Sequence, residues 1–259
     1  MDMEVYRKIK ISIQTILGID LEHYKDEQMR RRLDSWLSRV GAPSWDDYFG
    51  KIQKDRDEYQ RFRNFITINV TEFYRDNERW KYLNQNVMPS LLQGNNRLRI
   101  WSAGCSKGAE IYSVAMMLED LSPGVNHALI ATDLDHGALA IARKGGPYVA
   151  EEVRNISPIQ MSKFFQNGNP PYFLNGTLQP KIQFKEQDLV KDNFETGFDL
   201  IICRNVVIYF TMETKQVLYK KFHSSLKNGG VLFVGGTEII PRPQDIGFKS
   251  SGFSFYSKI

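Results

Sequence analysis

The stretch Leu98–Glu110, L-R-I-W-S-A-G-C-S-K-G-A-E, constrains the fold of this chain more than any other. Leu98, Ile100 and Trp101 form a short run of strand formers that gives way to the small residues Ser102, Ala103, Gly104, Cys105 and Ser106. After Gly108, from Glu110 onward, Ile111, Val114, Ala115 and Leu118 recur at helical spacing. A strand, a glycine-bearing turn and a helix open a doubly wound α/β domain, in which ligands lie at the carboxyl ends of the strands. Gly104 and Gly108 lack the Cβ atoms that would hold a ligand away from the backbone. Their spacing is not G-x-G-x-x-G, so a ligand without a pyrophosphate is favoured over a dinucleotide.

The chain beyond extends that unit. Ala128–Thr132 predicts a second strand, followed by Asp133-Leu134-Asp135. An acidic residue at this point is placed to hold ribose hydroxyls. Asp133 suits that role, and Asp135 suits the N-cap of a helix over Gly137–Arg143. A helix near Ser157–Phe165 precedes Tyr172-Phe173-Leu174, then Asn175-Gly176, then a run from Thr177 to Phe184. That pattern predicts a β-hairpin across a two-residue turn, its later part feeding a third strand over Lys181–Glu186. Polar Gln187-Asp188 and then Leu189 follow at the ligand edge. The apolar run Phe198–Cys203 predicts a central buried strand, which leads into R-N-V-V-I-Y-F at 204–210. A helix from Thr211, a fifth strand at Val231–Val234 and a hairpin over Phe248–Lys258 complete the order. Five strand–helix units closed by a hairpin fit a Rossmann-like S-adenosylmethionine methyltransferase sheet better than a dehydrogenase sheet.

Residues 1–70 carry helical patterns only. Val5, Ile9, Ile13, Ile16 and Leu17 share a face that Gly18 closes. Met29, Leu33, Trp36, Leu37 and Val40 form a second face, Tyr48, Phe49 and Ile52 a third, and Tyr59, Phe62 and Phe65 a fourth. The second helix bears Arg30-Arg31-Arg32 and Arg39, which read as a solvated face or as a docking surface for an acidic partner helix. Thr67–Arg75 then breaks the helical rhythm. It is either a linker with Thr71 as a helix cap or a crossover that sets Asn69, Thr71 and Arg75 over the ligand site.

The formal net charge of +4 admits acidic partners without demanding nucleic acid. Two cysteines at predicted strand ends, Cys105 and Cys203, make no disulfide framework and suit a reducing cytoplasm. No apolar run reaches the ~18 residues of a membrane span, and the N-terminus lacks a signal peptide. A soluble protein is expected. His23, His127, His136 and His223 lack ligand spacing, so no metal is expected.

Four segments carry a resemblance: N-V-T-E-F-Y-R (69–75), W-S-A-G-C-S-K-G-A-E-I-Y-S-V-A-M (101–116), A-T-D-L-D (131–135) and C-R-N-V-V-I-Y-F (203–210). In this order the chain resembles the CheR-type chemotaxis-receptor glutamate O-methyltransferases along nearly its whole length. The resemblance implies a helical receptor-docking domain at 1–70 and an α/β S-adenosylmethionine-dependent methyltransferase domain at 71–259, with a small antiparallel β-insertion at about 164–184. Asn69, Thr71 and Arg75 would contact the methionine end of the cofactor or the nearby substrate. Gly104, Glu110 and Asp133 would help hold the cofactor, Asp133 through ribose. Asp188 and Leu189 would lie beside adenine, and Arg204 and Asn205 would complete the pocket. Arg75 and Tyr209 would stand next to the reacting carboxylate, and Arg30, Arg31 and Arg32 would dock the receptor.

The implied partner is the cytoplasmic helical region of methyl-accepting chemotaxis receptors, met by a monomer recruited to membrane receptor arrays. Neither nucleic acid nor membrane insertion is implied, and S-adenosylhomocysteine is the implied product. Asn169-Pro170-Pro171-Tyr172 matches the N-P-P-Y signature of nucleic-acid amino methyltransferases, yet it precedes the third strand here instead of following the fourth. Base methylation and a catalytically inactive receptor-binding adaptor are the alternative readings. The short, proline-rich Gly168–Pro171 loop implies weak or absent binding of a receptor's C-terminal tail. Gly235-Gly236-Thr237-Glu238 departs from the family's usual glycine–histidine–serine–glutamate.

Overall fold

The computed structural model describes residues 1–259, which divide into two units. One comprises Met1–Ile68 and Ile208–Gln216, the other Asn69–Val207 and Val217–Ile259. The first holds four helices, α1 (Met3–Leu17), α2 (Asp26–Val40), α3 (Trp45–Ile52) and α4 (Arg56–Thr67). Side chains of Asp2, Ser44 and Asp55 accept the orphan amides that open α1, α3 and α4, and left-handed Gly18 and Gly41 end α1 and α2. The apolar faces meet around Trp36, whose ring centre lies 6.3 Å from Tyr48, 5.8 Å from Phe62 and 4.4 Å from Phe65. The segment Ile208–Gln216 joins this unit through main-chain bonds. Lys25 N donates to Tyr209 O at 2.9 Å, Thr211 N donates to His23 O at 2.9 Å, and Tyr24 bridges Phe210.

The second unit opens with α5 (Asn77–Tyr82) and α6 (Met88–Gln93), joined by a π turn at Leu83–Val87. There follow β1 (Arg99–Ala103), α7 (Ala109–Leu121), β2 (Ala128–Asp133), α8 (His136–Lys144), α9 (Ala150–Val153) and α10 (Pro158–Phe164). After these come β3 (Ile182–Glu186), β4 (Phe198–Cys203), α11 (Met212–Ser225, counted with this unit only from Val217), β5 (Leu226–Val234), β6 (Phe248–Gly252) and β7 (Phe255–Lys258). The strands form one sheet in the order β3-β2-β1-β4-β5-β7-β6, parallel through β5 and closed by the antiparallel β6–β7 hairpin. Connection order reverses between β1 and β4, and the crevice at such a switch point is where doubly wound sheets bind ligands.

Both central strands are buried. Trp101 of β1 pairs with Ile130 and Ile201, and its ring packs against Phe194, Phe198 and Phe222. All of β4 is buried, including Asp199, whose carboxylate accepts from Arg99 N at 2.7 Å and Lys227 Nζ at 2.6 Å. No helix of the chain is long and apolar enough to cross a membrane.

Two local expectations are corrected. Asn175-Gly176 does not turn a hairpin. The Asn175 side chain accepts from the N and Oγ1 of Thr177, and the chain then enters a 3-10 turn at Gln179–Lys181, where Pro180 has no N–H for a ladder. The antiparallel pairing of Tyr172 and Leu174 goes instead to Tyr148 and Phe165. Thr71 does not cap α5 either. Between it and the helix lies a tight turn through Tyr74 (φ 50°) and Asp76 (φ 61°), and Asp76 takes the N-cap position.

Candidate functional site

The turn after β1 is built for close approach. Gly104 has φ 77°, and a Cβ on it would stand 2.5 Å from Cγ2 of Val206. The glycine therefore admits the chain leaving β4, a protein contact where the sequence suggested a ligand. The amides of Gly104 and Cys105 both donate to Thr132 O, which locks this turn to the end of β2. Ser106, at φ 48°, then donates its N–H to Oδ2 of Asp133 at 2.7 Å, while Asp135 N donates to Oδ1 at 2.9 Å. The Leu134 backbone amide also favours the ionised form, which leaves the carboxylate one of its roughly four acceptor positions for a ligand hydroxyl. Burial pushes the Asp133 carboxyl up to about 6.

Asp135 caps α8 as expected, its Oδ1 accepting from Gly137 N at 2.7 Å and Ala138 N at 3.0 Å. Its other oxygen accepts from Asn69 Nδ2 at 2.6 Å, and Asn69 Oδ1 accepts from Ser106 Oγ at 3.3 Å. Asn69 is thereby fixed between the β1 and β2 loops. Partly buried Thr71 lies just beyond it in the same segment.

A second cluster surrounds Arg204, whose side chain is only 2% exposed. Its Nη2 donates to Arg75 O at 2.9 Å and to Asp76 Oδ2 at 2.7 Å, and Nη1 lies 3.8 Å from Glu110 Oε2. The guanidinium also stacks 4.7 Å from the centre of the Phe233 ring, which favours a cation at that depth. Burial still draws the Arg204 guanidinium below its ordinary value. Glu110 Oε1 accepts from Ser102 Oγ at 2.8 Å. Burial pushes the Glu110 carboxyl up to about 7 against the opposing pull of Arg204 and Ser102. Arg75 also favours the ionised form of Glu110, and its own guanidinium makes no ion pair.

Glu238, which matches the glutamate of the family's glycine–histidine–serine–glutamate, carried no assigned role in the sequence. It is 3% exposed and accepts from three backbone amides: Asn205 at 2.8 Å, Val206 at 3.1 Å and Gly235 at 2.6 Å. It thus joins the end of β4 to the end of β5 and holds Asn205 at φ 59°. The available signal was a lone acidic residue beside two glycines just past a buried strand. Tyr74, Asp76, Ser106 and Asn205 all have positive φ, and such strained non-glycine residues gather at functional loops.

Asp188 builds the turn after β3, its Oδ1 accepting from Val190 N at 2.9 Å. Leu189 is buried, and its carbonyl accepts from Lys221 Nζ, which also reaches Val190 O and Asp192 O. Lys221 had no sequence signal.

Tyr209 belongs to the helical unit, where its carbonyl accepts from Lys25. The arginine triplet of α2 does not make one basic patch, because successive helical side chains point ~100° apart. Arg32 donates to Phe65 O and covers its ring, Arg30 donates to Met1 O and to Met3 Sδ, and of the three only Arg31 is exposed, paired with Glu27. Asn169–Pro171 is an exposed loop before β3, whereas Arg204 and Asn205 occupy the end of β4.

Comparison with known proteins matches the all-alpha domain of CheR methyltransferases to residues 4–67 and their SAM-binding domain to residues 69–255. The chain is 41% identical over 244 residues to the chemotaxis protein methyltransferase of Listeria monocytogenes, covering 93% of this chain and 92% of that protein. It is 31% identical over 253 residues to chemotaxis protein methyltransferase 1 of Pseudomonas aeruginosa, covering 92% and 90%. With the chemotaxis protein methyltransferase of Escherichia coli it shares 31% identity over 244 residues, covering 90% and 83%.

Proposed function

Because this chain belongs to the CheR methyltransferase family, we propose that it transfers a methyl group from S-adenosylmethionine to glutamate side chains of chemoreceptors, giving methyl esters. The carrying observation is the match of both family domains, over 4–67 and 69–255, to a chain whose sheet presents buried carboxylates at its switch point. The residues fit the cofactor: Asp133 offers an acceptor to a hydroxyl, and ionised Glu110 offers a counter-charge to a cation. When bound, S-adenosylmethionine supplies an electrophilic methyl carbon on a sulfonium.

Everything else falls to the chain. Asp133 holds the ribose, Asp188 and Leu189 flank the adenine side, and Asn69, Thr71, Arg204 and Asn205 close around the methionine side. A glutamate with an ordinary pKa of about 4.3 is already a nucleophile at neutral pH, so no general base is required. Orientation and exclusion of water can contribute ~7–11 kcal/mol to lowering such a barrier. Arg75 steers the incoming carboxylate, and Tyr209 is the second group assigned to it. The helical unit docks the cytoplasmic helical region of the receptor, with Arg31 the exposed member of its arginine triplet. The protein acts as a cytoplasmic monomer drawn to receptor arrays.

The test supplies tritiated S-adenosylmethionine and receptor-rich bacterial membranes, then measures label released as methanol by mild base. Receptor bands carry base-labile label, reduced about a hundredfold by Arg75→Ala and about tenfold by Tyr209→Phe. Base-stable label on added nucleic acid would instead support the N-P-P-Y reading. Cofactor binding without transfer would support the adaptor.

A pH dependence follows from Glu110. Its carboxyl sits near 7, so the ionised fraction that counters the cofactor's charge grows as pH rises. Cofactor affinity is expected to increase ~10-fold between pH 6 and pH 8, Asp133 adding at most about a factor of two from its position near 6. Calorimetric titration of Glu110→Gln should give weaker binding with most of this slope gone. A wild-type affinity that is flat across that range refutes the assignment.

A further inference from the structure

Arg79 on α5 is fixed by a side-chain hydrogen bond, yet the protein gives its charge no carboxylate partner. Its Nε donates to Ser254 Oγ at 2.9 Å. Its guanidinium lies over Gly236, where a Cβ would meet Nη2 at 2.7 Å and Cζ at 2.8 Å. No carboxylate pairs with it, in contrast to Arg99, Arg154 and Arg204. Arg79 is half-buried, and its Nη groups are not among the fully buried unpartnered atoms, so the charge is open in part to whatever meets this end of the sheet.

The surroundings of Arg79 are rigid. Ser254, at φ 73°, accepts Val234 N through its carbonyl at 2.9 Å, clipping the β6–β7 turn to the end of β5. Tyr82, three residues after Arg79 and so on the same helical face, donates its hydroxyl to Ser251 O at 2.7 Å. Gly235, beside Gly236, donates to the Glu238 carboxylate that also holds Asn205 and Val206. One carboxylate thus links the backbone under Arg79 to the candidate site. At the tip of the same turn Phe253 is 90% exposed.

We infer that Arg79 and Phe253 form a second anchor for the substrate chain, the guanidinium pairing with an acidic side chain near the target glutamate and the phenyl ring covering an adjacent apolar one. The inference rests on the proposed methylation of receptor glutamates and adds a rule for choosing among them. A lone carboxylate satisfies Arg75. A carboxylate in an acidic, amphipathic segment satisfies Arg79 and Phe253 as well.

The test measures initial methylation rates with the full-length protein and a soluble cytoplasmic fragment of a chemoreceptor, varying fragment and cofactor separately. Arg79→Gln keeps a donor for Ser254 but removes the charge, and Phe253→Ser changes an exposed position with little effect on folding. Each is expected to raise KM for the fragment, about tenfold for Arg79→Gln and about threefold for Phe253→Ser, with kcat and cofactor affinity within twofold of wild type. The Arg79→Gln penalty should shrink as salt rises, since an exposed ion pair is screened.

Unchanged KM for the fragment in both variants, with an active wild type, overturns the anchor alone. A loss in Arg79→Gln that appears in cofactor binding assigns the guanidinium to the cofactor's carboxylate and likewise overturns it. A wild type that binds cofactor but methylates no receptor removes the underlying functional reading.

Discussion

Replacing Glu238 with alanine is expected to lower the melting temperature by ~6–12 °C and to abolish measurable cofactor binding. Three backbone amides, those of Asn205, Val206 and Gly235, lose a buried acceptor, the Gly235 bond being fully buried and the other two partly so. Stranding such donors costs about 3 kcal/mol in total, and in a chain of this size each kcal/mol moves the midpoint by ~2–4 °C. The site fails for a separate reason. Asn205 at φ 59° and Val206 packed on Gly104 are held against strain by this carboxylate, and without it the turn relaxes away from β1. Glu238→Gln should fall between. Its oxygen can still accept from Asn205 and Gly235 where Oε2 stood, but its NH2 then confronts the Val206 amide. Scanning calorimetry of the three proteins decides the matter, and an alanine variant that melts within 1 °C of wild type (on the order of the scatter of surface substitutions) would show that Glu238 does not carry the turn.

Arg204→Met is expected to reduce methyl transfer by at least about a hundredfold while leaving the protein folded. The lost guanidinium clamps the carbonyl of Arg75 and supplies the nearest positive charge to Glu110. Without it the Glu110 carboxyl, already near 7, rises further and stays protonated at neutral pH. The sign for stability follows from linkage. A carboxyl raised above its unfolded value of 4.5 stabilises the fold fully below that value, and the contribution is lost as pH rises through the folded value near 7. At pH 6 Glu110 is mostly neutral with or without Arg204, so the variant loses little there. At pH 8 the wild type holds an ion pair that the variant must replace by protonation or leave as an unpaired charge. Thermal denaturation at the two pH values should show the larger deficit at pH 8. Equal deficits would mean that Arg204 supports the fold through Asp76 and Arg75 alone.

Much of this architecture was readable because it depends on short-range pattern. The burial of β4 shows in its apolar run, the cap of α8 in Asp135, and the turn after β1 in its two glycines. What stayed hidden depends on contacts between residues far apart in the chain. Gly104 is a glycine because of Val206, and Gly236 has no side chain where the Arg79 guanidinium lies. Neither dependence leaves a local trace. The Asn175-Gly176 pair misled for a related reason, since a turn signal states only that the chain can reverse there, while Tyr148 and Phe165 determine where residues 172–174 find their hydrogen bonds. The different settings of Arg30, Arg31 and Arg32 were not legible because adjacency in sequence is dispersal on a helix. The family motifs led to Arg204 and Glu110, and one of them contains Glu238, but its work of fixing Asn205 depends on a contact across two strand ends that no motif states.

The membership of Ile208–Gln216 in the helical unit has a consequence for how this protein can be recombined. That unit is discontinuous: its four helices come first, and the piece with Tyr209 arrives only after four strands of the sheet have been made. Cutting after Ile68 would leave Tyr209, Phe210 and Thr211 without the Lys25, Tyr24 and His23 groups that satisfy their backbone. A chimaera that exchanges the helical unit between relatives must therefore carry two pieces of sequence, residues 1–68 and 208–216. The same interleaving couples distant positions, because a change that reshapes the backbone of residues 23–25 must be accommodated by residues 209–211, far along the chain.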